Sequence, residues 1–335
     1  MRVATRPEWP DVVGSRDSIA VTAIESRDPT TSGHSGRVAT LTVKLAEVVD
    51  RSSDGPYRHV NFTREQLREL RYAGLLHDFG KVSVREQVLV KEKKLYPHDL
   101  ELIRHRFAYL VQRADLDFER QRAEHLLRRG HDGYEELLAT LDEERRRHHR
   151  ELRCFLDQIA MANEPTVLPE GSFDTLHRIH ERTYVDFEGR ERPLLEGHEL
   201  QFLMIRQGNL DDNERREIES HVTHTFRFLE QIPWTRELRA IPQIAYGHHE
   251  KLNGRGYPNA LESGAIPVQT RMMTIADIYD ALTATDRPYK RAVSCDNALD
   301  ILRMEANEGM LDPALLDAFV GARVYDAVQR GSAGD

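Results

Sequence analysis

Cysteine is scarce in this chain. Cys154 and Cys295 are its only two, they lie far apart, and neither has zinc-ribbon or thioredoxin spacing, so a reducing cytoplasm is the expected location. No stretch approaches the ~20 apolar residues of a membrane span, so any route to a membrane runs through a partner. Met1 to Ser18, with two prolines, several charges and no apolar core, does not read as a signal peptide. Positive charge is not in excess either. Forty-seven Lys and Arg against 56 Asp and Glu leave a net charge of -9, which excludes a general nucleic-acid coat but leaves room for a locally basic pocket around one small anion. No internal repeat is visible, and only the region around Tyr184 reads as strand.

What is present is a globular composition with many histidines. The 335 residues, 39% apolar, suffice for about two average domains. Residues 1–17 read as an irregular lead-in. A helical pattern begins at Ile19, breaks at Asp28-Pro29 and restarts near Thr31, placing His34 in a first turn and Arg37 one turn later. After a turn at Asp54-Gly55-Pro56, Thr63 and Gln66 form a capping-box pattern ahead of Leu67, Leu70, Ala73, Leu75 and Leu76. That helix ends in His77-Asp78-Phe79-Gly80-Lys81, with Gly80 where a helix commonly stops. From His98 to about Asn163 the chain is dense in Arg, Glu, Asp and His, interrupted only at Gly130 to Gly133. It reads as two helices of roughly thirty residues, each about 45 Å long, folded back as a hairpin. Such an arm suits oligomerisation or partner contact, or packing on its own domain. Tyr184 to Arg192, with Gly189 at the tip, suggests a small β-hairpin. An Asp-x-x-Glu cap at Asp211 to Glu214 opens a helix bearing Ile218, His221, Phe226 and Leu229. Further helices are expected over Thr235 to His249, Gln269 to Leu282, and from Asn297. The fold class is all-α, as one domain formed by 18–96 and 210–335 around an insertion at 97–209.

The histidines carry the chemistry. His34, His77-Asp78, His221, His248-His249 and the pair Asp277 and Asp280 lie in otherwise apolar helical patterns, and a carboxylate facing burial is normally met by a cation or a metal. Several helices that point imidazoles and carboxylates inward are how helical bundles build two-metal centres. Two such ions give phosphodiester hydrolysis a nucleophile at neutral pH and charge clamps for the phosphoryl oxygens. Lys81 is placed to stabilise charge or to protonate the leaving oxygen. Asn253, Gly254, Gly256, Tyr257 and Pro258 form a turn-rich loop that brings backbone N–H groups and a tyrosine to the site.

Together His77-Asp78 with Gly80-Lys81, His248-His249-Glu250, Asn253-Gly254-x-Gly256-Tyr257-Pro258, Asp277-x-x-Asp280-Ala281-Leu282-Thr283 and Arg287-Pro288-Tyr289 resemble the HD-GYP subgroup of HD-superfamily phosphohydrolases. The resemblance spans about two thirds of the chain, in order. It implies an all-helical domain that hydrolyses cyclic di-GMP to linear pGpG or GMP through a hydroxide bridging two ions, iron first and manganese second. Carried over by motif, the ligands are His34, His77, Asp78, His221, His248, His249 and Asp277, with Asp78 the bridge and Lys81 catalytic. Arg287, Lys290 and Arg291 meet the phosphates; Arg37 and Asp280 stand behind the ligands. Members with three metals carry a Glu where this chain has Thr30, so two metals are expected. Asn253 replaces the usual Asp, and the insertion separates His221 from the His-Asp motif, leaving His105 as the competing position. No receiver, cyclase or sensory module is recognisable. The competing functions are a silent cyclic-dinucleotide sensor signalling through the arm, and hydrolysis of another cyclic or linear nucleotide.

Overall fold

The computed structural model of the protein describes residues 33–167, 169, 171–284 and 292–329. The expected helix start at Ile19, Thr30, and the phosphate-contact candidates Arg287, Lys290 and Arg291 lie outside the described residues. The chain divides into two compact units, one running to Val90 and resuming at Glu214, the other Lys91–Asn213.

The first unit opens with α1 (His34–Asp50) and α2 (Arg64–Leu76), then a 3-10 turn, Phe79–Ser83, and the short α3 (Glu86–Leu89). The second unit holds α4 (Pro97–Arg129), α5 (Tyr134–Ala162), α6 (Ser172–Glu181), the strands β1 (Thr183–Val185) and β2 (Glu191–Pro193), and α7 (Gly197–Leu203). The chain continues through α8 (Asp212–Glu219), α9 (His221–Glu230), α10 (Ile241–Tyr246), α11 (Val268–Thr283), α12 (Cys295–Asn307), α13 (Pro313–Gly321) and α14 (Asp326–Gln329). The class is all-α, its one sheet among the described residues being the antiparallel pair β1 and β2 with Tyr184 opposite Arg192.

Apolar residues at helical spacing set the core of the first unit. α1 buries Val38, Leu41, Leu45 and Val49, and α11 buries Met272, Met273, Ile275, Ala276 and Tyr279. α2 begins at the expected capping box: Gln66 N–H donates to the Thr63 hydroxyl at 3.2 Å, and Thr63 N–H donates to Gln66 Oε1 at 2.9 Å. At the start of α13 Asp312 accepts from Ala314 and Leu315 N–H, with Pro313 at the first helical position.

The second unit has its own core of Ile103, Phe107, Leu152, Ile159, Leu176, Ile179, Leu195 and Leu203. One end of the α4–α5 hairpin thus packs within its unit. Arg106, partly buried, and the buried Glu199 form a bidentate pair there, Nη1 to Oε2 at 2.8 Å and Nη2 to Oε1 at 3.1 Å. Farther along α4, Leu116 and Leu127 are 48% and 88% exposed.

Three local expectations change. The helix expected from Asp211 is two helices, broken at Ser220. The Ser220 hydroxyl donates to Glu217 O at 2.6 Å and His221 Nδ1 donates to Ile218 O at 2.6 Å, so side chains take carbonyls that would otherwise continue the backbone ladder. The helix expected through His249 ends at Tyr246, and His248 and His249 occupy the turn that follows. Gly80 is not a left-handed helix stop but lies inside the 3-10 turn.

Candidate metal centre

Five segments of the first unit bring seven side chains into one cluster. His34 begins α1, His77 and Asp78 follow α2, His221 begins α9, His248 and His249 follow α10, and Asp277 comes from α11. Asp78 stands at the middle. Its Oδ1 is 3.2 Å from His221 Nε2 and 3.9 Å from His248 Nε2. Its Oδ2 is 3.4 Å from His77 Nε2, 3.6 Å from His34 Nε2 and 2.8 Å from Lys81 Nζ. Asp277 Oδ1 lies 3.2 Å from His34 Nε2 and 3.7 Å from His77 Nε2. The ligand atoms of His221, His248 and His249 fall within 4.8 Å of one another.

Three imidazoles are held by the same device. Nδ1 of His77 donates to Gly74 O at 2.7 Å, Nδ1 of His221 to Ile218 O at 2.6 Å, and Nδ1 of His248 to Ala245 O at 2.6 Å. Each acceptor is a carbonyl three residues back. The proton is thereby fixed on Nδ1, and Nε2 presents a bare lone pair to the centre. All three Nε2 atoms are buried with no hydrogen-bond partner. An unsatisfied buried polar group costs about 1–3 kcal/mol, and divalent cations held by these lone pairs together with Asp78, Asp277, His34 and His249 would remove that cost, so the residues fit a metal.

His34 is held differently. Its Nδ1 is 2.7 Å from Asp280 Oδ2, and Arg37 grips the same carboxylate through Nε at 2.7 Å and Nη2 at 3.1 Å. Asp280 therefore sits behind His34. Burial pulls the His34 pKa down, but contacts with Asp277 and Asp280 outweigh it and push the pKa up to about 9. Carboxylates that attract a proton to this imidazole attract a divalent cation for the same reason. Burial, reinforced by neighbouring imidazoles, holds His248 well below the usual histidine range, and burial takes His249 down to about 3. Burial opposes ionisation of Asp78, yet Lys81, His77 and His221 keep its carboxyl well below the ordinary value. Asp277 is held low against burial by His34 and His77.

Two contacts were not read from sequence. The Thr225 hydroxyl accepts from Gly80 N–H at 2.8 Å and donates to His77 O at 3.0 Å. A Cβ on Gly80 would lie 1.9 Å from His221 O and 2.6 Å from Thr225 N, so the residue is glycine because two backbones touch. The signal was available in Thr225, four residues after His221 and hence on the same helical face. The second contact is Glu250, 2% exposed, whose two oxygens accept from Asn259 and Leu261 N–H at 2.8 Å each. It clamps the glycine-rich loop.

Within that loop Tyr257 places its ring centroid 4.7 Å from that of His249 and donates its backbone N–H to His249 O at 3.2 Å. Burial pushes its hydroxyl pKa upward. Gly256 permits the approach, since a Cβ there would stand 2.3 Å from Lys251 N. Asn253 anchors the loop, accepting from Arg255 N–H at 3.1 Å and donating to Glu308 O at 3.2 Å. Gly254 turns it at φ 72°, and the Tyr257–Pro258 bond is cis. His105 is exposed on α4 in the other unit, and His131 and Asp132 are exposed in the turn between α4 and α5.

Two family models, each described as an HD domain, match residues 31–162 and 198–315. A 3'3'-cGAMP-specific phosphodiesterase of Vibrio cholerae is 37% identical over 100 residues, 30% of this chain and 21% of the relative. A cyclic di-GMP phosphodiesterase of the same organism is 37% identical over 122 residues, 35% of this chain and 24% of the relative. The cyclic di-GMP phosphodiesterase response regulator RpfG of Xanthomonas campestris is 32% identical over 121 residues, 36% of this chain and 31% of the relative. The chain thus spans less than a third of the length of these relatives.

Proposed function

We propose that this chain, which belongs to the HD-domain family, is a metal-dependent phosphodiesterase that opens cyclic di-GMP to linear pGpG or GMP. The observation that carries the reading is the division of labour at Asp78, whose two carboxylate oxygens face different histidine groups. In this reading His34, His77 and Asp277 hold one divalent ion, His221, His248 and His249 hold the second, and Asp78 serves both. Iron or manganese suits the mixed imidazole and carboxylate donors. Bound there, the pair supplies activated water at neutral pH and positive charge opposite the phosphoryl oxygens.

The protein groups complete the chemistry. Lys81 keeps its ammonium 2.8 Å from Asp78 Oδ2 with the side chain 18% exposed, at the edge of the centre where it can give a proton to the leaving oxygen. Arg37 and Asp280 orient His34. The loop from Asn253 to Pro258 borders the ligand beside His249, and Arg287, Lys290 and Arg291 are assigned to its phosphates. Among the described residues no helix is long and apolar enough to cross a membrane. Free Cys154 and Cys295 agree with action in the reducing cytoplasm, and the α4–α5 arm is assigned to a homodimer or partner contact.

The test incubates anaerobically purified protein, its iron counted, with cyclic di-GMP and separately with 3'3'-cGAMP. Linear product from cyclic di-GMP, lost together with both ions in Asp78→Ala, is expected. Bound but uncleaved substrate at full metal occupancy would overturn the enzyme in favour of a sensor, and cleavage of 3'3'-cGAMP alone would overturn the substrate.

A further inference from the structure

The chain leaves the first unit after Val90 and returns at Glu214, so Asp78 and His221 share one cluster across a long excursion. An ion pair within the first unit closes that excursion. Arg85, just ahead of α3, and Glu217, in the last turn of α8, lie 132 residues apart in sequence. Arg85 N–H donates to Glu217 Oε1 at 3.0 Å, Arg85 Nε lies 2.9 Å from both carboxylate oxygens, and Nη2 donates to Oε2 at 2.6 Å. The hydrogen bonds from Arg85 hold the Glu217 carboxyl below its ordinary range.

We propose that Arg85 and Glu217 are positioning residues for the metal centre: the pair fixes the end of α8, whose carbonyl orients the His221 imidazole, against the turn that carries Lys81. The path is short on both sides. Glu217 precedes Ile218, whose carbonyl accepts from His221 Nδ1 at 2.6 Å, and the Glu217 carbonyl accepts from the Ser220 hydroxyl at 2.6 Å. On the other side Arg85 follows Val84, whose N–H donates to Lys81 O at 3.0 Å. The break at Ser220 is what makes this tie matter. Thr225 holds α9 to His77 and Gly80, but the acceptor that sets the His221 ring belongs to α8, on the far side of the break. If α8 turned relative to α9, Nδ1 would lose its carbonyl, the proton would be free to move to Nε2, and the lone pair facing Asp78 would go with it. A planar guanidinium that meets both oxygens, joined by a backbone donor, fixes direction as well as distance, which a lysine in its place does not. The two side chains are 57% and 24% exposed, so the pair adds little to stability. What it sets is geometry. The role rests on the proposed two-metal chemistry, for which His221 must present a bare Nε2.

The experiment compares the full-length protein with Arg85→Ala, Glu217→Ala, the double variant and Arg85→Lys. Chelator competition on the manganese-loaded proteins is expected to show one ion held about 10-fold more weakly in each alanine variant. The double variant should lose no more than either single one, because both remove the same contact. Arg85→Lys, which keeps the charge and the backbone donor, should recover part of the loss. The second readout is the imidazole nitrogen NMR signal of His221 in metal-free protein in mildly alkaline buffer. The wild type should show the Nδ1–H tautomer and the alanine variants an average of both tautomers, with the melting temperature nearly unchanged. Unchanged metal affinity, or an unchanged His221 signal, in the double variant would overturn the role and leave a surface ion pair. A large fall in melting temperature would overturn it equally, by making the pair structural. The nitrogen signal is read without metal or substrate, so it distinguishes failure of this role from failure of the phosphodiesterase reading.

Discussion

Thr225 and Gly80 meet through one hydrogen bond of 2.8 Å, from the Gly80 N–H to the Thr225 hydroxyl. The same hydroxyl donates to His77 O, so one threonine on α9 holds both sides of the Asp78 turn against the helix that carries His221. Thr225→Val keeps the shape and strands two buried backbone groups. A loss of about 2–4 kcal/mol is expected, with reduced metal retention, whereas Thr225→Ser should retain most of both. Chemical denaturation with metal counting checks it; an unchanged Thr225→Val would refute the tie.

Gly80→Ala should be worse. Its methyl would collide with backbone at His221, which cannot rotate away as a side chain can. The expected cost exceeds ~3 kcal/mol, read as a protein that is either insoluble or metal-free. A well-folded, metal-loaded Gly80→Ala would show that α9 moves freely relative to the Asp78 turn.

Asp280→Asn tests the support behind His34. The amide keeps the size but gives up the charge that Arg37 and His34 share. Loss of such an outer partner typically lowers metal affinity about 10–100-fold. Competition with a chelator measures this directly, and an unaltered affinity would remove Asp280 from the site.

Glu250→Gln leaves one carbonyl oxygen for two backbone donors, Asn259 and Leu261 N–H. The loop bearing Tyr257 should loosen at a cost of about 1.5–3 kcal/mol. Because the metal ligands are untouched, KM for the dinucleotide should rise more than kcat falls. A change confined to kcat would place Glu250 in the chemistry instead.

Tyr57 supplies a test in pH. Its hydroxyl donates to Asp312 Oδ2 at 2.5 Å beside Arg271, and burial followed by Asp312 pushes its pKa up to about 12. A folded pKa above the unfolded ~10 means that the group's contribution is complete below pH ~10 and disappears as pH rises through 12. Tyr57→Phe should therefore flatten the alkaline limb of the stability curve between those values. An identical limb in the variant would exclude Tyr57 as its source.

Much of this was legible in the sequence because local rules govern it. The Thr63–Gln66 capping box, the α4–α5 hairpin with its break at Gly130 to Gly133, and the small hairpin around Gly189 follow from capping, periodicity and turn chemistry acting over a few residues. The residue types of the candidate centre were legible too, since a histidine or aspartate inside an apolar helical pattern is costly without a partner. Tertiary structure alone decided how they meet. No spacing along the chain shows that Asp78 turns one oxygen toward His221 and the other toward His77, or that Gly80 is glycine because the backbone of His221 leaves no room for a Cβ. Those relationships depend on close packing between segments distant in sequence, which fixes distances to tenths of an ångström and has no local signature.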